Sequence, residues 1–327
     1  MNNINDFLES IREKLDEYYG DEYTVKINKV TKNNSTVKNG LTIRKKGSRM
    51  APNIYLDDAY EDYVNGKSLQ DITTGIIAAR AECRDEIEFD ADRFLDYEWV
   101  RRRLSIKLID KDKNGRQLKE VPHVEFYDMA VVFYVDIEED SIGKGSIMIR
   151  NEHMDEWAIN VKKLYTDAIN SVTRKSPPIM KDIVSVLMEM VEERYEGEDE
   201  SAEKQRIEEM LRDTFDVNPM MYVITNQSKS NGAAVIAYPG MLHDVGETLG
   251  CDFYLLPSSV NEVIVVAIND AAENGLHLSE MVKEINATNL TPEEVLTDHA
   301  YRYHRSTNWL EPLTEPQAHL TEMPSAV

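Results

Sequence analysis

The stretch of this chain best suited to chemistry is Asp110-Lys-Asp112-Lys-Asn114-Gly115. It sets side-chain oxygens at the first, third and fifth positions and a glycine at the sixth, as the first half of a calcium-binding loop does. The twelfth position should carry a bidentate glutamate. Here it is Val121, with Glu120 one place early. The flanks alternate as strands do, whereas that calcium site needs helices. A polar turn between strands is therefore the preferred reading, and calcium the lesser one.

The other groupings are thinner. Glu152-His153 with Glu156 supplies one histidine where a helical zinc site needs two, four residues apart. His299 and His304 are five apart and off a common helix face. With Tyr301, Arg302, Tyr303 and Arg305 they form a basic, aromatic segment. It is expected to pair with the protein's own carboxylates or, second, to hold an anionic ligand. Gly143-Lys144-Gly145 lacks the spacing of a phosphate-cradling loop and reads as a hairpin turn. Ser258 and Ser259 have no histidine near in sequence, so a serine nucleophile needs a partner brought by the fold, such as His243 or His299. Arg101-Arg102-Arg103 precedes a strand and reads as a solvated edge. Cys83 and Cys251 are far apart and read as buried thiols; no zinc cluster or disulfide is expected from them. No cofactor or metal is expected.

Charge narrows the partners. Among 327 residues there are 60 Asp and Glu against 37 Lys and Arg, a net −23. Such a surface repels phosphate polymers and anionic membranes. Direct nucleic-acid binding is not expected, and the partner is expected to be a protein. The plain reading of the charge is solubility. The sharper one is a nucleic-acid mimic, which needs Asp57-Asp58, Glu138-Glu139-Asp140 and Glu198-Asp199-Glu200 to converge on one face. No apolar run approaches the ~18 residues that span a bilayer, and the N-terminus lacks a signal-peptide pattern. A cytoplasmic location without membrane contact is the expectation.

The elements that position these residues can be read from periodicity. Asp6 to Tyr19 predicts an amphipathic helix ended by Gly20. Tyr23 to Ile27 and Thr36 to Lys45 predict a hairpin turned at Asn33-Asn34. Tyr55 to Val64 predicts a short helix stopped by Asn65-Gly66. A second helix is capped by Ser68 and Asp71 and lined by Leu69, Ile72, Ile76 and Ala79, with the charged end of Arg80 reaching water at the edge of that face. Leu104 to Leu108, Val121 to Tyr127 and Met129 to Ile137 predict strands, and Trp157 to Val172 a helix. Ile179 to Tyr195 and Ala202 to Thr214 predict a helical hairpin. Tyr222 to Thr225, Ala233 to Tyr238, Phe253 to Leu256 and Glu262 to Ile268 predict strands, the last two around Pro257-Ser258-Ser259. Gly240 to Gly250, Leu278 to Ala287 and Pro292 to Tyr303 predict helices, the last capped by Thr291. From Glu311 a frayed tail is expected.

Several blocks carry a resemblance: Tyr222-Val-Ile-Thr-Asn226, Asn231-Gly-Ala-Ala-Val235, Tyr238-Pro-Gly240, Leu256-Pro-Ser-Ser259 with Glu262-Val263, Met281 to Asn286, and Glu294 to Asp298 with Tyr301 and Arg305. Together they resemble an uncharacterised domain-of-unknown-function family of Firmicutes over nearly the whole chain. The layout is more distantly similar to the YtpQ family. The resemblance implies an α+β fold and carries no catalytic residue across.

The expected fold class is α+β, with two mixed lobes of antiparallel or mixed sheets flanked by helices. The expected division is 1–115, 116–310 with a helical-hairpin insertion, and a flexible tail 311–327. The first functional expectation is a non-catalytic binding or regulatory protein, with Asn226, Ser258, Ser259 and Glu262 as a candidate contact patch. The alternatives are an acidic mimic that inhibits a nucleic-acid enzyme and a hydrolase whose site is assembled across the fold.

Overall fold

Phe7, Ile11 and Leu15 recur every four residues and are fully buried. This stripe makes Ile4–Tyr19 (α1) an amphipathic helix with one face on a core. The Asn3 side chain accepts from the Asn5 N–H at its start, and Gly20 (φ 58°) turns the chain out at its end. The computed structural model describes residues 3–48, 51, 53–82, 91–139, 143–194, 206–207, 209–210, 221–268 and 276–313.

The chain then forms Tyr23–Thr31 (β1) and Val37–Lys45 (β2), antiparallel, with Tyr23 opposite Lys45 and Thr31 opposite Val37. Asn34 makes the turn at φ 57°, a left-handed conformation that asparagine tolerates. Asn53–Tyr55 (β3) adds to β2 opposite Gly40 to Thr42, giving the order β1-β2-β3. Asp57–Val64 (α2) and Leu69–Glu82 (α3) follow. Val25, Leu41 and Ile43 from the inner sheet face join Phe7, Ile11, Leu15, Leu56, Ile72 and Ile76 in one core. Each such side chain contributes about 1.5–3 kcal/mol on burial. The Ser68 hydroxyl accepts from the Asp71 N–H and donates to its carboxylate, so the expected cap forms. Arg80 corrects the reading of that helix. It is only 4% exposed, and its Nε donates to the Ile43 carbonyl at 3.0 Å. Ile43 lies one residue beyond the last position that β3 pairs, so the guanidinium serves a strand carbonyl there instead of reaching water.

The remaining helices are Ala91–Leu95 (α4), Tyr97–Val100 (α5), Gly115–Leu118 (α6), Asn151–Glu156 (α7), Val161–Lys175 (α8), Ile183–Arg194 (α9), Met241–Leu249 (α10) and Leu276–Asn289 (α11). The remaining strands are Leu104–Asp110 (β4), His123–Phe126 (β5), Met129–Glu139 (β6), Gly143–Met148 (β7), Pro178–Asp182 (β8), Met221–Asn226 (β9), Phe253–Leu256 (β10), Val263–Ala267 (β11), Tyr301–His304 (β12) and Trp309–Pro312 (β13). One sheet has the order β4-β6-β5, with β7 also on β6; another runs β13-β12-β10-β11-β9-β8. Every neighbouring pair in the six-stranded sheet is antiparallel. The fold is α+β, antiparallel sheets flanked by helices. The chain divides into two compact units. One comprises residues 1–105, 111–124 and 132–171, the other residues 106–110, 125–131 and 172–327.

Several expected elements are different. Gly143 and Gly145 lie within β7, with Gly145 opposite Ile137, not in a turn. The helix expected from Trp157 starts only at Val161, because Trp157 is the C-cap of α7 and Ala158 after it takes φ 50°. Pro178 to Asp182 pair with β9, so the following helix starts at Ile183, where Asp182 accepts from the Ser185 N–H and hydroxyl. Ala233 to Tyr238, expected as a strand, falls in a 3-10 segment, Gly232–Ala237, that is buried at every residue. A run apolar on all sides has no period to distinguish strand from helix. Pro292 to Tyr303 is not a helix. Thr291 and Glu294 do bond as a cap would, but the Leu296 and Thr297 N–H groups donate to Ser258 and Pro257 carbonyls. That tertiary pairing replaces the next helical turn, and the chain enters β12. Glu311 lies in β13, not in a frayed tail. Most of Ala202 to Thr214 and the tail from residue 314 lie outside the described residues.

Candidate functional site

Strand alternation decides what the N-terminal sheet shows to solvent. While Val25, Ile27, Leu41, Ile43 and Ile54 face the helices, the residues between them face outward. The register sets Thr24 opposite Arg44, Lys26 opposite Thr42 and Asn28 opposite Gly40. It continues onto β3 with Thr42 opposite Asn53 and Gly40 opposite Tyr55. Thr24, Lys26, Asn28, Thr42, Arg44, Ala51 and Asn53 line an open concavity of about 460 Å³. Gly40 keeps one side of this face low: a Cβ there would lie 2.8 Å from the Val30 Cγ2. The Thr42 hydroxyl donates to the Asn53 Oδ1 at 2.6 Å, which leaves the Asn53 amide nitrogen as the donor end.

The segment that builds this face differs in charge from the rest of the protein. Residues 23–56 contain eight Lys and Arg and no Asp or Glu, although the chain carries net −23. Lys26 and Arg44 are exposed and sit diagonally across β1 and β2, about 7 Å apart at the backbone. Among the described residues no carboxylate forms an ion pair with either. Asp57, which follows the basic segment, is engaged: its carboxylate accepts from the Asn39 N–H and side-chain amide, both at 2.9 Å. Lys32 lies over the Tyr55 ring, 4.2 Å from its centroid. The arrangement offers ammonium, guanidinium, amide and hydroxyl donors to an anionic group. The whole-chain charge masked this signal; net charge counted in a window of ~30 residues would have found it.

The residues singled out from sequence fall elsewhere. Asn226, Ser258 and Ser259 are buried, and Glu262 is exposed. Asn226 bonds the Ser230 carbonyl and the Ser228 hydroxyl, Ser259 Oγ accepts from the Asn261 N–H, and the Ser258 carbonyl accepts from Leu296. Their polar atoms knit loops of the six-stranded sheet. Among the described residues no hydrogen bond joins His243 or His299 to either serine. In the calcium-like stretch, Asp110 ends β4 and Asn114 is buried. The Asn114 Oδ1 accepts from the Asn34 N–H and its Nδ2 donates to the Asn34 Oδ1. That amide locks the β1–β2 turn. No group of three or more His, Cys, Asp or Glu fit to hold a metal occurs among the described residues.

His153 packs on Phe94 and Trp157. Burial lowers its pKa, in keeping with a ring nitrogen that accepts from the Arg150 N–H. The C-terminal basic segment pairs with the protein's own carboxylates, as expected. Arg302 meets Asp252, His304 meets Glu311 and Arg305 meets Glu247. Asp128 takes the Tyr301 hydroxyl on one oxygen and His299 Nε2 at 2.9 Å on the other. Burial raises the Asp128 pKa, but these two partners outweigh it and hold the carboxyl below its ordinary range. Burial and Asp128 both push the Tyr301 hydroxyl up. Arg101 pairs with Glu98 and Arg103 stacks on Trp99, so these two arginines have local partners. Cys251 is a free thiol, and Cys83 lies outside the described residues. No helix among the described residues is long and apolar enough to cross a membrane.

No curated protein and no solved structure matches the chain. The model of a family of unknown function (DUF5688) matches residues 4–305, and the chain belongs to that family.

Proposed function

We propose that this is a non-catalytic binding or regulatory protein that acts through protein contacts, with the outer face of the β1-β2-β3 sheet as its contact surface. The observation that carries the reading is an open, basic, carboxylate-free face on an otherwise acidic chain. Complementary potentials at such a face select partners and speed encounter. The Asn226, Ser258, Ser259 and Glu262 group is not the surface proposed, because three of its members are buried. A cytoplasmic location fits a chain with two cysteines and no clustered pair. A Firmicute origin and distant kinship to the YtpQ family belong to the same reading and rest on the residue blocks quoted above.

The test is affinity capture from native lysate with the full chain and with a Lys26→Ala, Arg44→Ala double variant. Proteins retained by the first and lost from the second support the reading. An unchanged set of captured proteins refutes it.

A further inference from the structure

We infer that the outer sheet face accepts an extended, Asp/Glu-rich segment of a protein partner, with a carboxylate seated between Lys26 and Arg44. The inference rests on the contact surface proposed above and adds the chemistry of its occupant.

Geometry sets the first requirement. β1 and β2 each have nine residues, so the face runs about 30 Å along the strands. A single small anion would use only the Lys26–Arg44 corner. An extended segment also meets Asn28 and Asn53, whose side-chain amides can donate to carboxylates or to peptide carbonyls, and Thr42, whose hydroxyl donates to Asn53 and can accept from a peptide N–H. The guanidinium of Arg44 matches a carboxylate in a two-pronged fashion, and Lys26 adds a point charge beside it.

Charge complementarity sets the second. All 60 Asp and Glu of the chain lie outside residues 23–56. A nucleic acid carries charge far past the ends of this face, about one phosphate charge per 1.7 Å of duplex, and would meet the long-range repulsion of a chain that is net −23. A segment of about eight residues ends within the face. Single-stranded nucleic acid also needs exposed aromatic rings for its bases. The one aromatic outer-face position of β1 to β3 is Tyr55, and the Lys32 ammonium already covers its ring.

The experiment is fluorescence anisotropy on the full chain with labelled octaglutamate at low salt, beside a labelled duplex of 20 base pairs. The Lys26→Ala, Arg44→Ala variant should bind octaglutamate about 5- to 30-fold more weakly, as expected for the loss of two solvent-exposed charge contacts. A Lys119→Ala, Lys162→Ala variant makes the same change in net charge at exposed sites that do not line the concavity, and should stay within about twofold of wild type. Octaglutamate affinity should fall steeply as salt is raised. Equal loss in both double variants, or tighter binding of the duplex than of octaglutamate, overturns the inference. So does sedimentation showing that wild type self-associates through this face, which makes a second copy the occupant. If lysate capture depends on Lys26 and Arg44 while octaglutamate binding does not, the occupant is wrong and the contact surface stands. If capture is indifferent to both residues, the contact surface itself fails.

Discussion

Replacing Gly232 by alanine should destabilise the unit that carries the six-stranded sheet by several kcal/mol. A Cβ at this position would lie 2.0 Å from the Thr225 Oγ1, 2.4 Å from the Asn261 carbonyl oxygen and 2.9 Å from the Asn226 nitrogen. Two of these three atoms are backbone, one in β9 and one in the loop before β11. Neither can move without disturbing strand pairing. Thr225 can rotate away, but its hydroxyl would then lose the 2.8 Å bond to the Asn261 carbonyl. Overpacking costs about 1–3 kcal/mol, and the lost bond with a stranded carbonyl adds about 1–2 kcal/mol. The sum of about 2–5 kcal/mol corresponds to a fall of about 10 °C in melting temperature for a unit of this size. Urea titration and thermal melting by far-UV circular dichroism measure it. Gly75 is the control: it lies in α3 with open space where a Cβ would go, so Gly75→Ala should stabilise by about 0.5–1 kcal/mol. A Gly232→Ala protein that melts within about 2 °C of wild type would refute the steric reasoning.

Arg80→Met should cost about 2 kcal/mol, because it keeps most of the buried stem but strands the Ile43 carbonyl; the urea midpoint reports it. Asn114→Ala should cost about 2 kcal/mol by removing both bonds to Asn34, and amide exchange at the β1–β2 turn should speed up. Asp128→Asn should destabilise by about 1 kcal/mol near neutral pH, discounted for a half-exposed carboxylate. Because the folded pKa of Asp128 is depressed, its stabilisation is present above the ordinary carboxylate range and is lost as pH falls through the folded value. The gap between wild type and Asp128→Asn should therefore close on acidification below about pH 4, read by thermal melts at stepped pH.

Local signals in the sequence determined much of the N-terminal unit. Phe7, Ile11 and Leu15 specify α1, the alternation through Val25, Ile27, Leu41 and Ile43 specifies the hairpin, and Ser68 with Asp71 specifies the start of α3. These elements were legible because one face of each meets water and the other a core, so their period shows. The basic island at 23–56 was also present in the sequence, hidden under a whole-chain count dominated by acidic residues elsewhere. Only the tertiary structure decided that Arg80 is buried, since its partner is a carbonyl 37 residues away. It also decided that Gly232–Ala237 is a buried 3-10 segment and that Thr291 begins no helix, because Ser258 and Pro257 take the N–H groups a helix would have used. The same distant pairing buried Ser258 and Ser259. Alternation put Lys26 and Arg44 outward, and the strand register placed them diagonally across one concavity. Local pattern reports which way a side chain points, and the pairing of distant segments settles what it meets there.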